Sequence, residues 1–187
     1  MPQNLKSTKF DRVIRNATLD DVGALRGLID RSARELARED YTSAQIEAAL
    51  KGAWGVDTQL IRDATYFVVE IDRQLAACGG WSRRKTLFGS DAHASREPAL
   101  LDPAKDAARI RAFFVHPDFA RRGIGRMLLE LCEAQAKKEG FTRAELVATL
   151  PGVKLYQSCG YTVIERKDYS LDGSLSIEFV LMRKDSL

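Results

Sequence analysis

The chain has 187 residues, 45% hydrophobic and 29% charged, with a formal net charge of +3 and a pI near 8.8. That balance describes one soluble globular domain with its own core, and basic residues interspersed among 26 acidic ones make no stripe for nucleic acid. No apolar run of about 18 residues and no charged-then-apolar leader occurs, so neither a membrane span nor a signal peptide is expected.

Residues 1–10 read as a flexible tail and 11–187 as a single domain. Cys78, Cys132 and Cys159 lie in apolar surroundings without CxxC spacing, which predicts packed, reduced thiols and a cytoplasmic protein. With His93 and His116 the only histidines, no metal site is expected.

In chain order, the alternation of Arg12 to Ala17 predicts an opening strand, and Thr18 caps a helix carrying Val22, Leu25, Leu28 and Ile29. A polar break at Arg38 to Tyr41 precedes a second cap at Thr42 or Ser43, and a helix through Ile46, Ala49 and Leu50 stops at Gly52. Ala64 to Ile71 and Leu75 to Ser82 form a hairpin across Asp72-Arg73-Gln74. Gly79-Gly80 in its second strand marks a bulge or a close approach by something bound. Gly89 to Lys105 loses periodicity and reads as an inserted loop of unusual length. A fourth strand starts near Ala108, a fifth spans Ala144 to Ala148, and a short helix covers Gly152 to Ser158. Tyr161 to Ile164 and Ser176 to Met182 close the chain as two strands.

The most informative stretch is Phe113 to Glu130, where an apolar strand stops at Pro117 and a turn with Arg121 and Arg122 leads through Gly123 and Gly125 into a helix. The first N–H groups of that helix lack intrahelical partners, and its dipole adds partial positive charge, so the turn is suited to an anion. Arg121, Arg122 and Arg126 add full charges. A nucleoside-triphosphate loop is excluded because Ile-Gly-Arg-Met follows Gly123, and a dinucleotide fingerprint fails at Leu128, where glycine or alanine belongs. An ordinary glycine-started helix with a solvated basic edge is the alternative.

Val115-His116-Pro117 followed by Ala120-Arg121-Arg122-Gly123-Ile124-Gly125 resembles the acetyl-CoA-binding segment of the GCN5-related N-acetyltransferases (GNAT), whose motif is Gln/Arg-x-x-Gly-x-Gly/Ala. Ala120 departs from it at the first position. Thr149 to Tyr161 resembles the family's Asn-x-x-Ala-x-x-Phe-Tyr-x-x-x-Gly-Phe segment, with Thr149, Gly152 and Leu155 replacing the asparagine, alanine and phenylalanine. The resemblance covers about Arg12 to Met182. It implies an α/β GNAT fold: a mixed sheet of about seven strands, about four helices, and parallel, splayed strands four and five. It also implies an acetyl-CoA-dependent N-acetyltransferase acting by direct attack of an amine, on a small molecule or peptide, with no nucleic-acid or membrane partner and room for a homodimer.

By the same resemblance, Phe113, Phe114, Val115, Arg121, Arg122, Gly123, Ile124, Gly125, Arg126 and Thr149 hold acetyl-CoA, and Tyr156 is the general acid toward the coenzyme sulfur. A lysine-type amine of pKa near 10.4 must lose a proton before attack. The strand-four run Ala108-Arg109-Ile110-Arg111-Ala112 puts arginines where many relatives carry a glutamate. Glu70, Glu145, His116 or a water chain are the candidate bases. Arg109 and Arg111 either hold an acidic acceptor or form a surface pair, and Trp54 and Trp81 either line the acceptor pocket or pack in the core. No acyl-enzyme is required, so the cysteines receive no nucleophilic role. A non-catalytic CoA-binding or phosphate-binding regulatory domain, and a basic nucleic-acid-binding module, are the readings from other classes.

Overall fold

A computed structural model describes residues 11–93, 97–172 and 174–187; the expected tail lies outside the described residues. The elements are β1 (Arg12–Asn16), α1 (Val22–Leu36), α2 (Ser43–Leu50), α3 (Thr58–Arg62), β2 (Tyr66–Ile71), β3 (Gln74–Ser82), β4 (Ala108–Val115), α4 (Ile124–Lys138), β5 (Ala144–Ala148), α5 (Val153–Ser158), β6 (Thr162–Asp172) and β7 (Leu175–Lys184). The strands make one sheet in the order β1-β2-β3-β4-β5-β7-β6, in which β4 and β5 run parallel and every other pair antiparallel.

Local chemistry accounts for the helix starts. The Asp21 carboxylate accepts the Thr18 N–H at 2.7 Å ahead of α1, and Arg15 grips the same carboxylate with two nitrogens at 2.8 Å. At α2 the Thr42 hydroxyl accepts from the Gln45 N–H while the Gln45 side chain accepts from the Thr42 N–H, a reciprocal cap. The short α3, absent from the sequence expectation, starts where Asp57 accepts the Gln59 N–H at 3.0 Å. Five residues are too few to display a helical period.

The feature that makes the site is a bulge. Cys78 pairs with Phe114 and Gly80 with Arg111, so two β4 residues, Ala112 and Phe113, oppose Gly79 alone, and Ala112 sits at φ +55°. A Cβ on Gly79 would lie 2.8 Å from the Phe113 ring, and one on Gly80 would lie 2.6 Å from the Thr65 carbonyl oxygen. The expected bulge is therefore present, and the close approach that needs the glycines comes from Phe113 and β2. The parallel ladder stops just before the bulge: β4 and β5 pair only at Ala108 with Ala144, Arg109 with Glu145 and Ile110 with Leu146. The two strands then part, leaving an opening in the middle of the sheet.

Each face of the sheet is covered. Leu128, Leu129, Cys132 and Ala136 of α4 pack with Ile110, Leu146 and Trp81, and Phe113 and Val115 lie against this cluster. On the other side Leu25, Leu28 and Ile29 of α1 pack on Tyr66, Val68 and Cys78, with Ala112 and Phe114 against them. A third cluster joins Ala33, Trp54 and Ile46 to Ile177 and Phe179 of β7. Burying these side chains supplies the main driving force at roughly 25 cal/mol per Å2 of apolar surface.

Two expectations change. The insertion after β3 is ordered by its own backbone and tied to the body: the N–H groups of Leu101, Lys85 and Thr86 donate to the carbonyls of Arg83, Ala99 and Glu97, the Asp91 N–H donates to the Val56 carbonyl, and Ser90 Oγ donates to the Gly52 carbonyl at 2.7 Å. Backbone pairing leaves no hydropathy alternation to read. β6 also runs to Asp172 rather than stopping at Ile164, because the exposed outer strand is held by its ladder to β7 and needs no apolar face. The three cysteines are free thiols, Cys78 and Cys132 fully buried.

Candidate active site

The turn between β4 and α4 begins at His116, whose Nδ1 accepts the Asp118 N–H at 3.2 Å and fixes the one-turn 3-10 segment Pro117–Phe119. Arg121 at φ +62° and Gly123 at φ +79° then bend the chain through left-handed conformations into α4, whose N-cap Gly123 offers no side chain to its first amides. A Cβ on Gly123 would meet nothing within 4 Å, whereas one on Gly125 would lie 3.1 Å from Leu155 Cδ2 and 3.9 Å from Val115 Cγ2. Gly123 serves the turn, and Gly125 serves the close approach of α4 to β4 and α5.

A cavity of about 690 Å3 opens where β4 and β5 part. At one end it is bordered by the α4 turn through Arg121, Gly123, Ile124, Gly125 and Arg126, with Lys154 and Ser158 of α5 beside them. Phe113, Phe114, Val115, Thr149 and Tyr156 line its middle, and Ala33, Leu36, Trp54, Phe88 and Phe179 its far end. Because Phe113 and Val115 pack toward α4 while Phe114 packs toward α1, the cavity reaches from one face of the sheet to the other. The volume falls in the usual range of ligand sites.

Of the eleven expected site residues, ten line this cavity and Arg122 does not. The Arg122 guanidinium instead lies 5.5 Å from the centre of the Phe119 ring, a cation–π contact within the turn itself. Arg126 donates to Ser158 Oγ at 2.9 Å, tying the first turn of α4 to the end of α5.

Tyr156 is buried, with its ring 6.4 Å from Phe113 and 5.9 Å from Tyr161 between centroids. Its hydroxyl makes no hydrogen bond to a described residue, and burial pushes the phenol well above its ordinary pKa, aided by the neighbouring Cys132 and Cys159. A Cβ on Gly152 would come within 3.2 Å of the Tyr156 ring and 3.5 Å of Thr149 Oγ1, so glycine at this position makes room for the tyrosine. Tyr41 holds this segment: its hydroxyl accepts the Leu150 N–H at 2.8 Å and donates to the Glu178 carbonyl at 2.9 Å.

None of the three candidate bases lines the cavity among the described residues. Glu70 is bound by Arg15, Glu145 sits between Arg109 and Arg183, and His116 is occupied as the cap of its own turn. Arg109 and Arg111 are also committed to carboxylates of the chain. Arg111, almost fully buried, meets the fully buried Asp57 at 2.7 Å and donates to the Gly89 carbonyl at 2.7 Å. Such a pair has to be complete, since either charge alone in this interior is costly. Trp54 lines the cavity and packs 5.7 Å from Tyr41, whereas Trp81 lies in the core against Phe141. Phe88, Phe179 and Lys154 line the cavity without having been singled out; Lys154 stood inside the Thr149 to Tyr161 segment, but nothing local marked the two phenylalanines.

The model of the acetyltransferase (GNAT) family matches residues 30–161. No curated protein matches the sequence. Among solved structures, the chain is similar to a GCN5-related N-acetyltransferase of Rhodopseudomonas palustris, with a TM-score of 0.68 at 18% identity over 94% of this chain and 95% of that one. PaiA N-acetyltransferase of Thermoplasma acidophilum, solved with coenzyme A, gives 0.63 at 16% over 94% and 99%. The yncA protein of Salmonella typhimurium, solved with its cofactor acetyl-CoA, gives 0.61 at 15% over 93% of each chain. At these identities the likeness is one of fold.

Proposed function

Because the chain belongs to the acetyltransferase (GNAT) family, we propose that it transfers an acetyl group from acetyl-CoA to a primary amine of a small molecule or peptide by direct attack, with Tyr156 serving the sulfur. The observation that carries this reading is one cavity bordered by the α4 turn at one end, by Tyr156 in the middle and by apolar side chains at the other.

The residues fit the coenzyme on two counts. The turn before α4 has left-handed backbone at Arg121 and Gly123 and an N-cap without a side chain, leaving the first amides of a 15-residue helix for a pyrophosphate. Arg121, Arg126 and Lys154 supply the charge. When bound, acetyl-CoA supplies an acyl carbon activated by a thioester. The Phe114 N–H faces β3, where it meets Cys78, so the backbone N–H of Val115, beyond the bulge and on the other edge of β4, is the candidate to steady the carbonyl oxygen as charge builds there. In the transfer the nitrogen lone pair forms the N–C bond, the C–S pair leaves with sulfur, the nitrogen loses one proton and the sulfur gains one.

Tyr156 is suited to that last step in a particular way. With its pKa raised above 10 by burial, the phenol stays protonated throughout the neutral range. Full transfer to a thiolate of cysteine-like pKa, about 8.5, is therefore uphill by more than about 2 kcal/mol. Its first contribution is a hydrogen bond to the departing sulfur, and the proton follows.

The test pairs calorimetric titration of acetyl-CoA with thiol release in the presence of amines. Binding together with amine-dependent thiol release is expected. Binding without release from any amine would mark a non-catalytic coenzyme-binding domain.

A further inference from the structure

Resting on the acetyl-transfer reading, we propose that the acceptor is a weakly basic amine, uncharged at neutral pH and carried on an apolar ring, an arylamine. The acceptor end of the cavity, on the α1 side of the sheet, is lined by Ala33, Leu36, Ala37, Trp54, Phe88 and Phe179. Among the described residues, the charged side chains lining the cavity, Arg111, Arg121, Arg126 and Lys154, are all cationic. Arg111 lies on β4 just before the bulge, and Asp57, outside the lining, balances its charge.

These surroundings discriminate between amines by charge. An alkylamine with a pKa near 10.4 is an ammonium in all but about one molecule in 2,500 at pH 7, and entering this end means leaving water for apolar walls with no carboxylate among the described lining residues to receive it. An arylamine nitrogen shares its lone pair with the ring and enters neutral. Its ring matches the walls, where Phe88 and Phe179 meet edge to face at 5.3 Å in a ring cluster completed by Tyr169 and His93.

The same choice fits the proton balance. A neutral nitrogen attacks without prior deprotonation. Its lone pair forms the N–C bond, the C–S bond breaks toward sulfur, and the proton then leaves a nitrogen made acidic by acylation, which water accepts. Glu70 and Glu145, bound to Arg15 and to Arg109 and Arg183, remain in those pairs throughout.

The experiment compares 4-methylaniline with benzylamine, which contain the same atoms and differ in whether the nitrogen is on the ring or on a charged side arm, and adds spermidine as a polycation. Thiol release at pH 7.5 is expected to show kcat/KM at least tenfold higher for 4-methylaniline than for either other amine. Equal or better use of benzylamine or spermidine overturns the inference and leaves acetyl transfer standing. Acetyl-CoA binding without release from any of the three overturns the inference, and the same silence across the wider range of amines overturns acetyl transfer as well.

A second arm places a carboxylate at the rim. Leu36, at the end of α1, is 37% exposed and tolerates charge. Leu36→Glu is expected to raise kcat/KM for benzylamine severalfold and lower it for 4-methylaniline, with Ala53→Asp as the alternative variant. Unchanged ratios in both folded variants place the acceptor elsewhere and overturn the proposal.

Discussion

Replacing Tyr156 by phenylalanine removes one oxygen and leaves the packing intact. The ring contacts to Phe113 and Tyr161 and the space over Gly152 belong to carbons that both residues share. Because the hydroxyl makes no hydrogen bond to a described residue, its loss changes stability by no more than about 0.5 kcal/mol. That moves the melting temperature by a degree or two in a chain of this size. Removing one donor from developing negative charge in a water-poor site costs about 10^2 to 10^3 in kcat, or about 2.7–4 kcal/mol of barrier. Acetyl-CoA affinity, read by calorimetry, stays within about twofold, since the donor matters chiefly once sulfur charge develops. Single-turnover thiol release isolates the chemical step. Because the phenol pKa is raised, the wild-type rate shows no loss from tyrosine ionisation up to about pH 10. A folded phenylalanine variant with wild-type single-turnover rates would refute the assignment of Tyr156 to the sulfur.

Gly125→Val puts a branched side chain where a single Cβ already lies 3.1 Å from Leu155, so about 1–3 kcal/mol of stability and at least tenfold in acetyl-CoA affinity should be lost; a folded variant that binds normally removes the pyrophosphate site from the α4 turn. Arg111→Ala leaves the fully buried Asp57 carboxylate without its guanidinium and should cost about 3–5 kcal/mol in urea unfolding. Adding Asp57→Asn should return part of that loss, and additive effects would show that the two residues are not coupled. Alkaline stability follows from Cys78 and Tyr41, whose pKa values burial raises to about 12 each. Both hold their protons more tightly folded than unfolded, so their contribution is complete below about pH 9 and declines as pH rises toward 12. Urea midpoints at pH 8, 10 and 11 should fall in that order, with a shallower fall in Cys78→Ala, and level midpoints would refute the linkage.

How much of this was legible in the sequence depends on the range of the interaction responsible. The Thr18 and Thr42 caps, the Gly123 turn, the Tyr156 spacing and most strands follow from neighbours within a few positions, where dihedral preference and side-chain period act. Those are the features that carried the family resemblance and most of the cavity lining. The tertiary structure decided the rest, because burial and pairing join positions far apart in the chain. It spent Glu70 and Glu145 on Arg15, Arg109 and Arg183, buried Arg111 against Asp57, and turned Arg122 onto Phe119. It set Tyr41 against Leu150 across 109 positions of sequence. It also brought Leu36, Trp54, Phe88 and Phe179 to one end of the cavity from four separate segments. A residue's type announces what it is able to bind, but its charge or ring is available only if the fold has not already supplied a partner, and that competition is settled by which distant groups the core brings within reach.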